Sequence, residues 1–218
     1  VSKKLEDSYP QFTEALLSVL YPHYLRPFPS CSIAHFEPAG SSLSAAALLP
    51  RGTELQSRPI KGAVCKFRTA WDVRLPPLAI DGLVFDPLAV APGEVRLPIG
   101  CQARLSFLLA LQGEGEQAGL GACGRVRFYI DAEPSVASAL RDALFLRCLK
   151  VFAEGEDGRW LPVRDGFVGE VGFAPDESLI DMPEAAHGAY RHLTEYFCFP
   201  EKFNFFDLDL AALPAGLR

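Results

Sequence analysis

The sequence of 218 residues is poor in metal-binding residues and in the spacings that metal sites need. It contains four histidines, and none of its six cysteines belongs to a CxxC pair. His187 and His192 lie five positions apart, whereas two ligands on one helix face lie four apart. Cys31 and His35 can share a strand face, but a tetrahedral zinc site needs two more ligands, which no nearby residue supplies. We therefore predict structural histidines and neither a metal nor another cofactor.

Motifs typical of catalysis are also missing. The sequence has no G-x-S-x-G motif and no outstanding pair of carboxylates. The segment "GEGEQAGLGACG" at 113–124 resembles a phosphate-binding loop, but it lacks the Lys-Ser/Thr that completes one and carries two glutamates that repel an anion. Asp207 and Asp209 form a D-x-D pair, which we interpret as the exposed face of an alternating strand. The sequence thus predicts no catalytic residue and a protein that is not an enzyme.

Features of secretion and membrane insertion are lacking too. The sequence shows no signal peptide and no apolar run of about 18 residues, the length a membrane span requires. A chain with 49% apolar residues and a normal core does not need disulfides. We therefore expect a cytoplasmic protein without direct membrane insertion, whose cysteines are reduced and mostly buried.

The distribution of charge disfavours nucleic acids as partners. The net charge is −6, and Lys/Arg outnumber Asp/Glu by nine to six in residues 1–75 but fall to twelve against twenty-one in residues 76–218. An acidic chain repels phosphate backbones unless it has a dense basic patch. The densest basic stretch, 51–74, has six basic and two acidic residues interleaved with apolar ones, as on the wet face of strands. We predict no nucleic-acid binding.

Three segments have helical periodicity. The clearest is "SYPQFTEALLSVLYP", in which Ser8 is the predicted N-cap, Pro10 lies in the first turn and Pro22 ends the helix. Its predicted buried face consists of Phe12, Ala15, Leu16, Val19 and Leu20. A second helix is predicted in "PSVASALRDALFLRCL", and a third from about Ala186 to Phe197, before Pro200.

The rest of the chain is rich in strand signals. Period-two alternation and proline-rich joints predict short strands in the segments "CSIAHFE", "ELQSRP", "AVCKFRTAWDVRL", "ARLSFLLAL", "GRVRFYID" and "NFFDLDL", and near residues 150–153, 160–163 and 167–173. We therefore predict a β-rich α+β fold, with short antiparallel strands in sandwich- or barrel-like sheets, an N-terminal amphipathic helix and two further helices. The predicted domains are 1–30 (helix and proline-rich exit), 31–132 (β domain) and 133–218 (α+β domain).

One stretch, "EYFCFPEKFNFFDLDL" at 195–210, concentrates aromatic residues. Six of the eleven residues from 196 to 206 are aromatic. Because Pro200 stops the helix, we predict a structural joint at a chain reversal, made by Tyr196, Phe197, Phe199, Pro200, Phe203, Phe205 and Phe206. Glu201 and Lys202 are predicted to point outward as a candidate exposed contact.

Four segments in order resemble one known family. They are "LYPHYLRPFPS", "LPRGTEL", "CKFRTAWDV" and "YRHLTEYFCFPEKFNFFDL". Together they are similar to the TssF (ImpG or VasA) family, a baseplate subunit of the bacterial type VI secretion system. The resemblance runs from about residue 10 to residue 210. Since the sequence begins with Val1 and family members are far longer, we expect a fragment.

The resemblance implies a scaffold and not an enzyme. The implied role is that of a cytoplasmic wedge subunit, which assembles the contractile apparatus by protein–protein contacts. The implied partners are TssG-, TssE- and TssK-type subunits and a second copy of the chain. Two alternatives stay open: a hydrolase or carbohydrate-binding β domain whose site is assembled from scattered residues, and an adaptor that shares only the aromatic-rich segments.

Overall fold

The computed structural model describes residues 2–36, 46–93, 95–112, 119–155, 157–183 and 186–214. These residues form two compact units. The first combines Val1–Ile33 with Ser178–Lys202, and the second combines Ala34–Glu177 with Phe203–Arg218. The division of the sequence into domains 1–30, 31–132 and 133–218 stays a prediction.

The first unit contains two α-helices, α1 and α3. Helix α1 spans Ser2–Leu20 and is followed by a 3₁₀ turn at Pro22–Tyr24. Helix α3 spans Gly188–Cys198 and begins at His187, whose side chain accepts a hydrogen bond from the backbone N–H of Ala189 over 3.2 Å. This contact satisfies one of the donors that a helix start leaves open, so His187 has a structural role.

The start of α1 differs from the prediction. The helix begins at Ser2 and not at Ser8, and Pro10 lies inside it. A proline within a helix removes one backbone hydrogen bond. Here the helix continues through Pro10, which is exposed.

The second unit contains one helix and eleven short strands among the described residues. Helix α2 spans Pro134–Phe145, the expected position of the second helix. The strands are β1 (Ala47–Leu49), β2 (Glu54–Gln56), β3 (Lys66–Arg68), β4 (Val73–Leu75), β5 (Leu78–Asp86), β6 (Arg104–Leu111), β7 (Arg125–Tyr129), β8 (Phe152–Glu154), β9 (Trp160–Pro162), β10 (Val168–Glu170) and β11 (Phe205–Asp209). The prediction of a β-rich α+β fold with an N-terminal helix is confirmed.

The strands pair in small antiparallel sheets. Four sheets have two strands each, β1–β4, β2–β3, β5–β6 and β8–β9, and a fifth has three strands in the order β10–β11–β7. Strand β11 is the central strand of this last sheet, where Asp207 is opposite Arg127 and Phe206 is opposite Phe128. No sheet of the described residues exceeds three strands.

One expected strand is not formed. The described part of "CSIAHFE", residues 31–36, contains no strand, and residue 37 lies outside the described residues. A strand needs a hydrogen-bonded neighbour as well as a suitable sequence. The glycine-rich segment at 113–124 is described only from residue 119, and Leu120–Cys123 form a 3₁₀ turn.

The hydrophobic core of the second unit lies around β7, β11 and α2. Its buried members are Cys123, Val126, Ile130, Ala137, Val163, Phe167, Phe206, Leu208 and Leu210. Strand β6 packs one face against this core through Phe107, Leu109 and Leu111, as its alternation predicted. The core therefore holds the central strand of the three-stranded sheet in place.

The expectation that most cysteines are buried is wrong. All six thiols are free, but only Cys123 is buried. Cys31 and Cys101 are partly exposed, and Cys65, Cys148 and Cys198 are exposed. Free cysteine usually behaves as a small apolar residue and is often buried. In this fold the other five cysteines lie outside the core.

Candidate functional site

The aromatic segment divides into an exposed part and a packed part. In α3, Tyr196 and Phe197 are exposed, and 79% of the Phe197 side chain is accessible. Their rings meet edge to face with centroids 5.7 Å apart. Phe199 is half-buried and Pro200 is exposed. These first rings therefore lie at a surface and not in a core.

The later rings pack within the second unit. Phe203 and Phe206 are buried, and Phe205 is half-buried. Phe206 stacks on Phe128 with centroids 5.5 Å apart, and Phe203 lies 5.1 Å from Phe173. The proposed role of the whole segment as a structural joint stays a prediction.

The outward orientation predicted for Lys202 is wrong. Lys202 and Glu195 are both fully buried, and the Lys202 ammonium donates a short hydrogen bond to Oε2 of Glu195. The other carboxylate oxygen, Oε1, accepts a hydrogen bond from the backbone N–H of Leu179 over 2.7 Å. A buried lysine requires such a partner, because an unpaired buried charge is very costly. Glu201 is half-buried.

The assignment of Asp207 to an exposed face is also wrong. Asp207 is 8% exposed, and Nε of Arg127 donates to its Oδ1 over 2.8 Å. Strand β11 is covered on both faces, by the hydrophobic core on one and by this ion pair on the other. Alternation of apolar and polar residues in a central strand therefore does not imply that the polar face is exposed to solvent. Asp209, the other member of the pair, is partly buried.

Arg127 is the centre of a polar cluster that sequence reasoning missed. Its Nη2 donates to Oε1 of Glu177 over 2.7 Å, and its guanidinium lies 4.9 Å from the centre of the Trp71 ring. Burial alone would lower the pKa of Arg127, but the hydrogen bonds and charges of Asp207 and Glu177 outweigh burial and raise this pKa. The only signal in the sequence was the alternation of Arg125 and Arg127 with apolar residues in β7.

Glu177 connects this cluster to a neighbouring loop. Its Oε2 accepts backbone N–H groups of Gly172 over 2.7 Å and Ala174 over 3.3 Å. The cluster borders an open depression of about 560 Å³, lined by Arg125, Arg127, Glu170, Phe173, Ala174, Asp176, Glu177 and Asp207. The charged groups of the cluster are paired with one another. Through Glu177 they also hold the loop at 172–177 by hydrogen bonds to its backbone.

The described residues contain no group of three or more His, Cys, Asp and Glu side chains placed to hold a metal ion. His35, one of the two residues that the sequence left open as metal ligands, is exposed. The imidazole of His192 contacts the neighbouring Arg191: Nε2 of the histidine lies 2.6 Å from Nη2 of the arginine.

Helix α1 presents an exposed apolar surface. From Tyr9 to Leu20 every described side chain is exposed except that of Thr13, which is half-buried. The exposed residues include those predicted to form a buried face, among them Phe12 (65% accessible) and Val19 (79%). Among the described helices, none is long and apolar enough to span a membrane. Exposed apolar area of this extent is typical of a protein–protein contact.

Helix α3 has an inverted distribution of polarity. Its only Asp, Glu, Lys or Arg residues, Arg191 and Glu195, are buried, and His192 is half-buried. Its exposed side instead carries Tyr190, Leu193 and Phe197, at the i, i+3, i+7 spacing of one helix face. A helix on a monomer surface normally has the opposite arrangement, so this face is a second candidate for contact.

The β5–β6 hairpin provides a third apolar surface, in the second unit. One face of this strand pair packs on the core. The pair also has exposed apolar residues, which are Ile80, Leu83, Val84, Phe85 and Leu108. A bulge between Ile80 and Gly82 shifts the register of the pair.

Comparison with known proteins identifies the family of this chain. Residues 1–216 match the family model "Type VI secretion system, TssF". The chain therefore belongs to the TssF family of the type VI secretion system.

Two relatives support the assignment. The chain is 29% identical to the type VI secretion system component TssF1 of Pseudomonas aeruginosa, in an alignment that covers 100% of this chain and 36% of TssF1. It superimposes on a chain of a type VI secretion TssK-TssF-TssG baseplate subcomplex with a TM-score of 0.76 and 31% identity, covering 99% of this chain and 40% of that one. The chain thus spans little more than a third of the length of the curated relative.

Proposed function

We propose that this chain is part of a structural subunit of a type VI secretion baseplate, where it acts by protein–protein contact and not by catalysis. The observation that carries the proposal is the similarity of 99% of the chain to a chain of a TssK-TssF-TssG baseplate subcomplex. At 31% identity and a TM-score of 0.76, the likeness extends beyond the fold to the sequence.

The surface chemistry supports a scaffolding role. The first unit exposes apolar side chains on both of its helices, whereas soluble surfaces are usually rich in charge. Burying such side chains against a partner contributes about 25 cal/mol per Å² of apolar area. Burial of these side chains against a partner would therefore favour assembly, because they stay exposed in the isolated chain.

The proposed partners are subunits of the TssG and TssK types, because these are named together with TssF in the similar subcomplex. A TssE-type partner and a second copy of the chain stay predictions from the family resemblance. The proposed location is the cytoplasmic side of the membrane. No feature of the described residues favours the hydrolase or carbohydrate-binding alternative.

Co-purification tests the proposal. The chain is co-expressed with an affinity-tagged TssG-type subunit, alone and together with a TssK-type subunit, and is recovered through the tag. We expect the chain in the eluate at a fixed ratio to TssG. A well-folded chain that passes through the column as if the tagged partner were absent would contradict the proposal.

A further inference from the structure

We propose that α1 is a conditional helix, which is largely unfolded in the isolated chain and becomes helical when its apolar side chains are buried. The folding equilibrium in question is that of Ser2–Leu20. Because this equilibrium depends on burial and not on the identity of the covering surface, it is independent of the proposed baseplate function.

Helix α1 receives little support from the rest of the described chain. From Tyr9 to Leu20 the side chains are exposed, apart from that of Thr13, which is half-buried. Among the described elements, the main neighbour of α1 is the 3₁₀ turn at Pro22–Tyr24, which directly follows it. Most helices in proteins are stable because one face packs on a core, and their intrinsic propensity contributes less. From Tyr9 onward, α1 lacks this larger contribution.

Helix α2 of the same chain has the packing that α1 lacks. Ala137 is 1% exposed, and Leu140 and Leu144 pack against the hydrophobic core of the second unit. Unfolding α2 would expose these side chains to water, so its helical state is tied to the folding of the unit. Unfolding residues 9–20 of α1 would expose few apolar side chains that are not already exposed.

Pro10 weakens the hydrogen bonding within α1. Proline has no backbone N–H, so one bond of the i to i−4 ladder is missing inside the helix. Proline is also the least favourable residue in a helix interior. Neither the part before Pro10 nor the part from Pro10 to Leu20 reaches about 12–15 residues, the length below which isolated helices are marginal in water. Hydrogen bonds alone are therefore insufficient to hold α1 in its helical state.

The polar residues of α1 do not compensate for this weakness. Acidic residues in the first turn and basic residues in the last turn stabilise a helix through its dipole, and α1 has neither. The hydroxyls of Thr13 and Ser18 donate to backbone carbonyls of α1 itself, over 2.9 Å and 2.7 Å. These hydrogen bonds do not anchor the helix to another element.

Burial of the apolar side chains supplies the missing stabilisation. Phe12, Leu16, Val19 and Leu20 follow the i, i+4, i+7, i+8 spacing of one helix face, and all four are exposed. Covering them lowers the free energy in proportion to the apolar area removed from water, and only the helical state aligns them on one face. Burial and helix formation are therefore linked. Folding that accompanies binding reduces the affinity, because the segment loses conformational entropy in the same step.

Hydrogen exchange measured by mass spectrometry tests the proposal on the 218-residue chain, at a concentration where light scattering shows the monomer. After correction for intrinsic rates, we expect the amides of residues 13–20 to exchange at least about a hundredfold faster than those of α2. Helix α2 is the internal control, because its slow exchange shows that the chain is folded. A smaller difference between the two helices would overturn the proposal.

A pair of proline variants measures the helical population directly. Pro10→Ala should increase the helical circular dichroism of the chain, because unfolded α1 molecules become helical. Pro134→Ala is the matched control, since Pro134 is exposed and lies at the start of α2, where proline is tolerated. This control should leave the signal unchanged. No gain with Pro10→Ala, or an equal gain with both variants, would contradict the conditional helix.

A nonionic micelle tests the link between burial and folding. We expect dodecyl maltoside micelles, which offer an uncharged apolar surface, to slow exchange in α1 at least about tenfold and to leave α2 unchanged. Phe12→Glu/Val19→Glu should lose most of this effect, because its charges resist burial. Glu14→Gln should keep the effect, since Glu14 is exposed but not apolar. Exchange in α1 that is equally fast with and without micelles would overturn the link.

Discussion

The ammonium of Lys202 and the carboxylate of Glu195 form an ion pair without any solvent exposure. Lys202 lies seven positions after Glu195, across the end of α3 and the turn that follows. Removing one partner of a buried pair leaves an uncompensated charge, whereas replacing both by neutral groups of similar volume is often neutral or stabilising.

The first prediction concerns the energetics of this pair. Lys202→Met is expected to lower the free energy of unfolding by about 3–5 kcal/mol, because Glu195 stays buried without its counter-charge. Adding Glu195→Gln should restore most of the loss, since the amide oxygen can still accept the N–H of Leu179. Urea denaturation of the two single variants and the double variant measures the coupling. Equal, additive losses would show that the two charges do not interact.

The second prediction separates the two halves of the aromatic segment. Phe206→Ala should lower stability by about 3–5 kcal/mol and leave little soluble protein, because Phe206 is 3% exposed and stacks on Phe128. Phe197→Ala should change stability by about 0.5 kcal/mol or less, since its ring is exposed. Thermal melting of both variants is the measurement. A soluble Phe206→Ala variant that melts with the wild type would refute the packed role of that ring.

The third prediction concerns thiol reactivity and its pH dependence. Burial, and then the charges of Glu195 and Cys198, raise the pKa of Cys31, and burial raises the pKa of Cys123. A raised pKa means that the reactive thiolate is scarce at pH 7 and appears only as the pH rises through the higher value. We expect iodoacetamide to modify exposed Cys65 first and Cys31 and Cys123 later, with the delay shrinking above about pH 9. Peptide mass spectrometry at several pH values provides the rates; uniform modification at pH 7 would disprove the order.

The fourth prediction concerns the apolar surface of α1. Its exposed side chains favour self-association of the isolated chain, because uncovered apolar area gains free energy when buried. Phe12→Glu/Val19→Glu should therefore shift light scattering toward the monomer at high concentration. Glu14→Gln is the control, because Glu14 is exposed on the same helix but is not apolar. This variant should not reduce self-association. A wild-type chain that is monodisperse as a monomer at all concentrations would contradict this reading of α1.

Much of the fold followed from the sequence because local patterns encode it. Phe206, Leu208 and Leu210 alternate with polar residues in "NFFDLDL", a pattern typical of one strand face, and the structure buries all three. The spacing of apolar residues likewise located α2 and α3 to within a few residues. In these elements the residues that the apolar spacing groups on one face are the residues that the fold buries. The local sequence pattern was therefore sufficient to locate them.

Two of the errors fall on charged residues whose partners are distant or unexpected. Asp207 is buried because Arg127, eighty positions earlier, lies opposite it in the sheet. Lys202 is buried because Glu195 turns inward from α3. Composition treats charge as a sign of exposure, and only the three-dimensional pairing reverses it. The exposed apolar face of α1 has a complementary explanation, since a periodic pattern does not tell whether the element that covers it belongs to the same chain.

The proposed binding to baseplate subunits is tested by the molar mass of the complex that this chain forms with a TssG-type subunit. The two proteins are co-expressed, and the complex is measured by light scattering coupled to size-exclusion chromatography. We expect one peak that contains both proteins and has a mass above that of either protein alone. Two separate peaks at the masses of the unmixed proteins, with the chain folded, would contradict it.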